Sequence, residues 1–193
     1  MAKRVYFAFH YQDVIDFRAN VVRKHNALQG VEQAGYYDAS IWEEARKKGD
    51  LALKRMINAE LENTSVTVVL IGSGTWARRW VRYEIMKSMK RGNKLLGIHI
   101  NGIHDKDRQT KDLGPNPFDF LGYSFNDAGT RLTMHEYNNG AWAEYAEIDN
   151  AATYEVSTVS ATDRGKGFKL SRDYPVYLWN RDKGYQNFST WIE

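Results

Sequence analysis

The sequence predicts an α/β protein with a doubly wound parallel sheet, to which a C-terminal antiparallel β meander and an aromatic-rich extension are attached. Short apolar runs alternate with helical patterns over the first hundred residues, and this order implies parallel strands joined by right-handed crossovers. After residue 101 the chain turns polar, and alternating runs then flank the pair Asn139-Gly140, which is a strong hairpin signal. Aromatic residues make up 13% of the chain and many lie in its last third, a composition typical of strands.

Length and composition favour one domain with a modest extension. A chain of 193 residues suits that size, so we predict an α/β domain over residues 1–120 and an extension over residues 121–193 that packs on the same domain. The absence of cysteine excludes disulfides and fits a reducing compartment. No signal peptide and no apolar stretch of about 20 residues is visible, so we expect a cytoplasmic protein with no membrane partner. A net charge of +3 is too small to indicate nucleic-acid binding.

The first strand is predicted over residues 4–9 (RVYFAF), because a compact run of β-branched and aromatic residues is typical of a buried strand. Asp13 is predicted to cap the helix that follows. The apolar positions of this helix fall on one face; they are Val14, Phe17, Val21 and Leu28.

A weaker second strand is predicted over residues 36–42 (YYDASIW), which run into a polar loop. Asp50, at the end of that loop, is predicted to cap the next helix. The apolar residues of this helix repeat at helical spacing; they are Leu53, Ile57 and Leu61.

The strongest predicted strand covers residues 65–71 (SVTVVLI). Residues 72–75 turn the chain, and a helix is expected over residues 78–91, with Asn93 beyond its end. Residues 95–100 (LLGIHI) then indicate another buried strand. These strands and helices complete the predicted doubly wound core.

The second half of the chain begins with a loop over residues 102–117, which are polar and contain glycine and proline. Three strands of a small meander are predicted after it, over residues 121–125, 130–137 and 141–145. Residues 150–193 are rich in Tyr and Trp, and we expect them to pack back on the α/β core.

The residues most capable of chemistry are Trp80 and Glu84, because ligands of open α/β sheets bind beyond the carboxyl ends of the strands. Trp80 and Glu84 are four residues apart, so they lie on the same face of a helix. A carboxylate held against an indole would be partly desolvated, and Arg78, Arg79 and Arg82 could attract phosphates. Taken alone, this spacing is also typical of a surface glutamate beside a packing tryptophan.

Other chemical motifs are weaker. The five histidines show no metal-ligand spacing and no paired carboxylates accompany them, so we predict no metal site. His10 follows a strand and fits a structural hydrogen-bonding role. Asp13 could belong to the acidic pocket of a phospho-receiver, but it lacks acidic companions after the other strands, and helix capping explains it.

Several motifs, in order, resemble the bacterial group of TIR-like domains. RVYFAFHYQD resembles the opening strand of this family, and SVTVVLIGSGTWARRWVRYEI resembles its third strand, turn and the helix with tryptophan and glutamate. LLGIHI resembles the next strand. The stretches KRVYFAFHYQDVIDFR, WVRYEIMKS and GPNPFDFLGY are most similar to TIR proteins of the Thoeris anti-phage defence system. This similarity extends over essentially the whole chain.

The resemblance implies a flavodoxin-like TIR fold and an enzyme that cleaves NAD to make a cyclic ADP-ribose isomer, a signal that activates a partner effector protein. NAD is then the substrate, and no cofactor is expected. A phage-derived trigger or self-assembly is implied as the means of activation. Carried over to this sequence, the catalytic glutamate is Glu84 and its companion is Trp80. The remaining positions that match the family's nucleotide pocket are Phe9, His10, Tyr11, Asp38 and Trp42.

The first strand departs from the family pattern, since Ala8 and Phe9 stand where a serine and a tyrosine are usual. The main alternative is a non-catalytic TIR adaptor that acts by self-association or partner binding, in which Glu84 is structural. A flavodoxin-like or phospho-receiver domain centred on Asp13 is the second alternative.

Overall fold

A parallel sheet and an antiparallel sheet make up the protein. The structure is a computed structural model, and it describes residues 4–25, 31–35, 39–148 and 152–193. The strands, in chain order, are β1 (Arg4–Phe9), β2 (Glu32–Ala34), β3 (Val66–Ile71), β4 (Lys94–His99), β5 (Leu121–Phe125), β6 (Arg131–Asn138), β7 (Ala141–Glu144), β8 (Thr153–Glu155), β9 (Gly167–Lys169) and β10 (Val176–Leu178). The helices are α1 (Tyr11–Ile15), α2 (Arg18–Arg23), α3 (Ala39–Lys47), α4 (Asp50–Leu61), α5 (Arg79–Arg91) and α6 (Gly184–Ile192).

The parallel sheet has the spatial strand order β10-β4-β3-β1-β2. β1 pairs in parallel with both β2 and β3, so that Tyr6 lies opposite Ala34 on one side and Thr67 on the other. β4 pairs in parallel with β3 and β10. The carboxyl ends of these strands therefore meet at one edge, where open α/β sheets bind ligands.

Each face of the parallel sheet carries its own core, because successive strand residues point to opposite faces. Tyr6 packs in one cluster with Ile57 of α4 and Ile85 of α5. Phe7 packs in the other cluster with Val22 of α2. Helices thus cover both faces, and the predicted doubly wound α/β architecture is confirmed.

The predicted second strand over residues 36–42 is wrong. The strand that pairs with β1 is Glu32–Ala34, while Ala39–Lys47 forms α3. β2 is a short edge strand in which the last residue alone is buried, so no apolar run marks it in the sequence. α3 is rich in Ala, Glu, Arg and Lys, which are strong helix formers. Residues 36–38 lie outside the described residues.

The predicted first helix is divided in two, and Asp13 does not cap it. Phe17 adopts a left-handed φ of 63° between α1 and α2. The residue that precedes α1 is His10, while Asp13 lies inside the helix and is buried. Of the predicted apolar positions, Phe17 is exposed and Leu28 lies outside the described residues.

The central predictions hold, with one correction at Asp50. The predicted strands and helix over residues 65–71, 78–91 and 95–100 correspond to β3, α5 and β4. Asp50 is the first residue of α4 rather than its cap; Gly49 precedes the helix, and the Asp50 carboxylate accepts a hydrogen bond from Arg79. The apolar residues predicted for α4 are all buried; they are Leu53, Ile57 and Leu61.

The antiparallel sheet contains the predicted meander, with the strand order β7-β6-β5-β9 and β8 paired to β6. The β6–β7 turn is formed by Asn139 and Gly140, both in the left-handed region with φ of 49° and 83°, which is the conformation that Asn-Gly favours in hairpins. β8 and β9 are three residues long and were not predicted from the sequence.

The aromatic tail packs back on the α/β core, as predicted, and it also enters the parallel sheet. β10 pairs with β4, and α6 buries Phe188 and Trp191 in the cluster that contains Phe7. The parallel sheet therefore takes its last strand from beyond residue 120. The domain boundary at that residue stays a prediction.

Within the described ranges, no helix combines the length and the apolar character needed to cross a bilayer.

Candidate active site

A cavity of about 480 Å³ lies beside the end of β1 and the first turns of α5. Every predicted site residue within the described chain lines it; these residues are Phe9, His10, Tyr11, Trp42, Trp80 and Glu84. Asp38 lies outside the described residues, so its predicted role in the pocket stays a prediction. The structure thus brings together side chains from β1, α1, α3 and α5.

β1 delivers the first wall of the cavity, because the strand ends there. Phe9 is its last residue, and His10 follows in an extended conformation before α1 begins. Burial lowers the pKa of His10, and the positive charges of Arg78 and Lys111 lower it further. The imidazole is therefore neutral at pH 7. Tyr11 is 46% exposed and lies on the cavity rim.

α5 delivers the opposite wall. Helical spacing places Trp80 and Glu84 one turn apart on the same face, and both line the cavity. Glu84 is 5% exposed, so it is not the surface glutamate that its spacing alone also allowed. The Trp80 ring meets Tyr83 edge-on, with 6.0 Å between the ring centroids.

Tyr6 is the one strong partner of the Glu84 carboxyl group among the described residues. Its hydroxyl donates a hydrogen bond to Glu84 Oε1 across 2.7 Å, inside the core. Burial raises the pKa of Glu84 to about 8, and the Tyr6 hydrogen bond opposes that rise. Near pH 7 most of the Glu84 carboxyl groups therefore carry a proton.

Tyr6 was not predicted from the sequence. Ligand-binding residues are expected just after the carboxyl ends of the strands, whereas Tyr6 lies in the middle of β1. The alternation of side chains along a strand could have found it, because Tyr6 and Ala8 share a sheet face. That face is the one that α5 covers.

The three arginines predicted to attract phosphates have different surroundings. Arg82 is buried away from the cavity, where it donates to the Trp76 carbonyl and to Glu136 at 3.0 Å. Arg79 lines the cavity but is bound by Asp50 and Glu147, each at 2.6 Å. Arg78 also lines the cavity, is exposed, and forms no ion pair with any carboxylate of the described residues. Arg78 is therefore the arginine best placed to meet an anion.

Trp42 reaches the cavity from α3 rather than from a strand end. Trp42 lines the cavity although its segment is a helix and not the predicted strand, because α3 lies beside the carboxyl end of β1. Glu43 and Arg46 of the same helix also line the cavity and form an exposed ion pair at 3.4 Å.

Asp13 lies next to the cavity but does not form a phospho-acceptor pocket. It is 5% exposed, and the Thr75 hydroxyl donates to it across 3.5 Å. Burial raises the pKa of Asp13 to about 6. Lys111, the nearest lysine, instead binds Asp16. Asp13 therefore offers no exposed carboxylate to a phosphodonor.

No group of three or more metal-ligating side chains occurs in the part of the chain that the structure describes. The cavity instead combines a buried carboxyl group, aromatic walls and a cationic rim. Such a site can hold a ligand with flat rings and anionic groups, and its carboxylate can stabilise positive charge that develops on the ligand.

Two comparisons with known proteins agree with this geometry. The family model "Thoeris protein ThsB, TIR-like domain" matches residues 6–105, a span that includes Tyr6, Trp80 and Glu84. A Bacillus cereus (strain MSX-D12) protein named "Putative cyclic ADP-D-ribose synthase ThsB1" is 54% identical over 194 residues, and the match covers 100% of both chains.

Proposed function

The chain belongs to the TIR-like domain family of the Thoeris protein ThsB, and from this premise we propose that it cleaves NAD at the nicotinamide–ribose bond and makes a cyclic ADP-ribose isomer. The observation that carries the proposal is the Glu84 carboxyl group, which is buried at the wall of a cavity large enough for a nucleotide. The name of the Bacillus cereus relative, which is covered in full, supports the cyclic product.

Cleavage of the nicotinamide–ribose bond requires an anionic group to stabilise the ribose cation, but no acid to protonate the leaving group. The C–N bond between ribose and nicotinamide breaks with its electron pair going to the ring nitrogen, so a cationic pyridinium leaves as a neutral base. Positive charge then develops on the ribose, as in glycoside hydrolysis. Glu84 stabilises this charge and accepts hydrogen bonds from the ribose hydroxyls.

The raised pKa of Glu84, about 8, links substrate binding to proton release. A pyridinium cation beside the carboxyl group favours the ionised form, because an opposite charge lowers the pKa of an acid. Tyr6 favours the same form through its hydrogen bond. Glu84 is thus mostly neutral before the cationic substrate binds and becomes an anion when it does.

The other walls suit the remaining parts of NAD. Phe9, Trp42 and Trp80 offer aromatic surfaces for the nicotinamide and adenine rings. Arg78 offers a guanidinium group to the diphosphate. All of these groups are supplied by the protein, so the proposal needs no cofactor and treats NAD as the substrate.

Ring closure follows if the cavity holds a nucleophile of the same molecule closer to the ribose than water. A nitrogen or hydroxyl oxygen of the bound ADP-ribose attacks the anomeric carbon and loses its proton when it is a hydroxyl. The net products are nicotinamide and the cyclic isomer, with one proton released when the nucleophile is a hydroxyl. Holding both reacting atoms in one site favours this intramolecular attack.

The cyclic product would act as a signal to a separate effector protein. This role assigns the protein a place in anti-phage defence within the cytoplasm, where NAD is available. We further propose that a phage-derived trigger or self-assembly activates the site.

The test compares wild type, Glu84→Gln and Glu43→Gln in phage-infected cells, with mass spectrometry of nicotinamide and cyclic ADP-ribose isomers. Glu43→Gln is the matched control, because it removes another carboxylate from the same cavity. We expect Glu84→Gln to lower product formation about 10²–10³-fold and Glu43→Gln to change it by no more than a few-fold. Product formation by Glu84→Gln at the wild-type rate would overturn the proposal, and absence of product in wild type would favour the adaptor alternative.

A further inference from the structure

We propose that Glu147 and Asp50 are positioning residues, which hold the Trp80 ring in the cavity wall by binding Arg79. Glu147 follows β7 in the C-terminal part of the chain, outside the matched span of the family model. Through Glu147 the C-terminal part would act on the site, although none of the residues that the structure describes there lines the cavity.

Arg79 is held from two sides. Its Nε and Nη2 donate to the two carboxylate oxygens of Glu147 across 2.6 and 3.0 Å, and Nη2 also donates to Asp50 across 2.6 Å. A paired contact of this kind fixes the plane of a guanidinium group as well as its position. Two carboxylates also neutralise the charge of Arg79, which leaves Arg78 as the cation offered to a ligand.

The fixed guanidinium group lies over the ring of Trp80, with 4.7 Å between Arg79 Cζ and the ring centroid. At this distance a guanidinium is attracted to the π-face of an indole. Since Trp80 lines the cavity, the orientation of Arg79 restricts the orientation of part of the cavity wall.

A second set of contacts also connects Glu147 to Trp80. Lys54 of α4 binds Glu147 at 3.3 Å and lies 5.7 Å from the centroid of Tyr83. Tyr83 in turn meets the Trp80 ring edge-on. Glu147 thus reaches Trp80 by two routes, one through Arg79 and one through Lys54 and Tyr83.

Glu147 is itself well anchored. The residues on either side of its turn, Tyr145 and Ile148, are buried at 1% and 4% exposure. The Tyr145 amide donates to the Met134 carbonyl of β6 across 2.9 Å. Burial of these neighbours and the backbone hydrogen bond limit the positions open to Glu147, which reduces the order that must be gained when its carboxylate binds Arg79.

A direct test follows the Trp80 ring by ¹⁹F NMR of protein labelled with 5-fluorotryptophan. The chain has six tryptophans, and the signal of Trp80 is assigned as the one that is absent from the spectrum of Trp80→Phe. We expect Glu147→Gln to shift and broaden that signal, and Glu147→Asp, which keeps the charge, to shift it less. Glu144→Gln is the matched control, because it removes an exposed carboxylate from the same strand and turn. An unchanged Trp80 signal in Glu147→Gln would overturn the proposal. Arg79→Met supplies a second variant that breaks the same contacts.

The effect on turnover rests on the proposed function and is measured separately. We expect Glu147→Gln to lower NAD turnover about three- to tenfold, while its thermal midpoint stays close to that of Glu144→Gln. If wild type turns over no NAD in phage-infected cells, the proposed function fails but the NMR result still decides the positioning role. If wild type is active and Glu147→Gln matches it in both turnover and NMR signal, the positioning role alone fails.

Discussion

The parallel sheet and the antiparallel sheet contribute to the site in different ways. β1, α1, α3 and α5, with the residues that adjoin them, supply the side chains that line the cavity, and these side chains lie within the span that the family model matches. The antiparallel sheet and the turn that follows β7 contribute carboxylates that bind arginines of α5: Glu136 binds Arg82, and Glu147 binds Arg79. The residues that line the cavity and these two carboxylates thus come from separate parts of the chain.

The second half of the chain is therefore an integral part of the folded structure. Its aromatic tail supplies β10 to the parallel sheet and buries Trp179 against the same core as Phe7. The full-length match to the Bacillus cereus relative, 100% of both chains, agrees with a tail that is part of the folded unit. Removing the tail would expose one face of the sheet that carries the site.

The largest expected effect tests whether the two regions fold as one. Trp179→Ala deletes a large, fully buried side chain and should lower the free energy of unfolding by about 3–5 kcal/mol. Urea unfolding followed by near- and far-UV circular dichroism should show a single transition at a lower midpoint. Trp142→Ala, at an exposed position of β7, is the control and should cost less than about 1 kcal/mol. Two separate transitions would contradict this prediction, because the two regions would then unfold independently.

The second prediction concerns the stability cost of Glu84. Its pKa is about 8 in the folded protein and 4.5 is the ordinary value. The folded state therefore binds the proton more tightly, and wild type should lose stability as pH rises from about 4.5 to 8. Glu84→Gln removes this loss, so it should be more stable than wild type by about 2–4 kcal/mol at pH 9 and nearly equal at pH 4. Denaturant unfolding at the two pH values measures the difference.

The control for that pH dependence is Glu43→Gln, which should differ from wild type by a similar amount at both pH values because Glu43 is exposed. A Glu84→Gln difference that is the same at pH 4 and pH 9 would contradict a raised pKa for the carboxyl group in the folded protein.

The smallest expected effect concerns Tyr6. Tyr6→Phe removes the hydrogen bond that favours the ionised form of Glu84, so the pKa of Glu84 should rise. If the ionised carboxylate stabilises the ribose cation, kcat/KM should increase with pH in wild type, with a midpoint near pH 8. In Tyr6→Phe the midpoint of this profile should move upward by about one pH unit. An unshifted profile would show that Tyr6 does not act on the protonation of Glu84.

Patterns of local sequence accounted for much of the fold. The runs over residues 65–71 and 95–100 are continuous and apolar because both strands are buried on both faces of the sheet, and both predictions are confirmed. β2 and β10 were missed for the opposite reason. Each is three residues long and lies at an edge of the parallel sheet, where pairing with a neighbour defines the strand and no long apolar run is required.

In the candidate site, too, some features could be predicted from local sequence and others depend on tertiary contacts. Helical periodicity and the family resemblance were enough to select Trp80 and Glu84, because residues four apart on a helix share a face whatever surrounds them. The burial of Glu84, its contact with Tyr6 and the binding of Arg79 by Glu147 depend on segments that are far apart in the sequence, 78 residues for Tyr6 and Glu84 and 68 for Arg79 and Glu147. Local spacing carries no information about such distances. Long-range packing therefore decided the protonation of the carboxyl group and which of the two neighbouring arginines, Arg78 and Arg79, is bound by carboxylates, since both depend on the neighbours that the folded chain brings together.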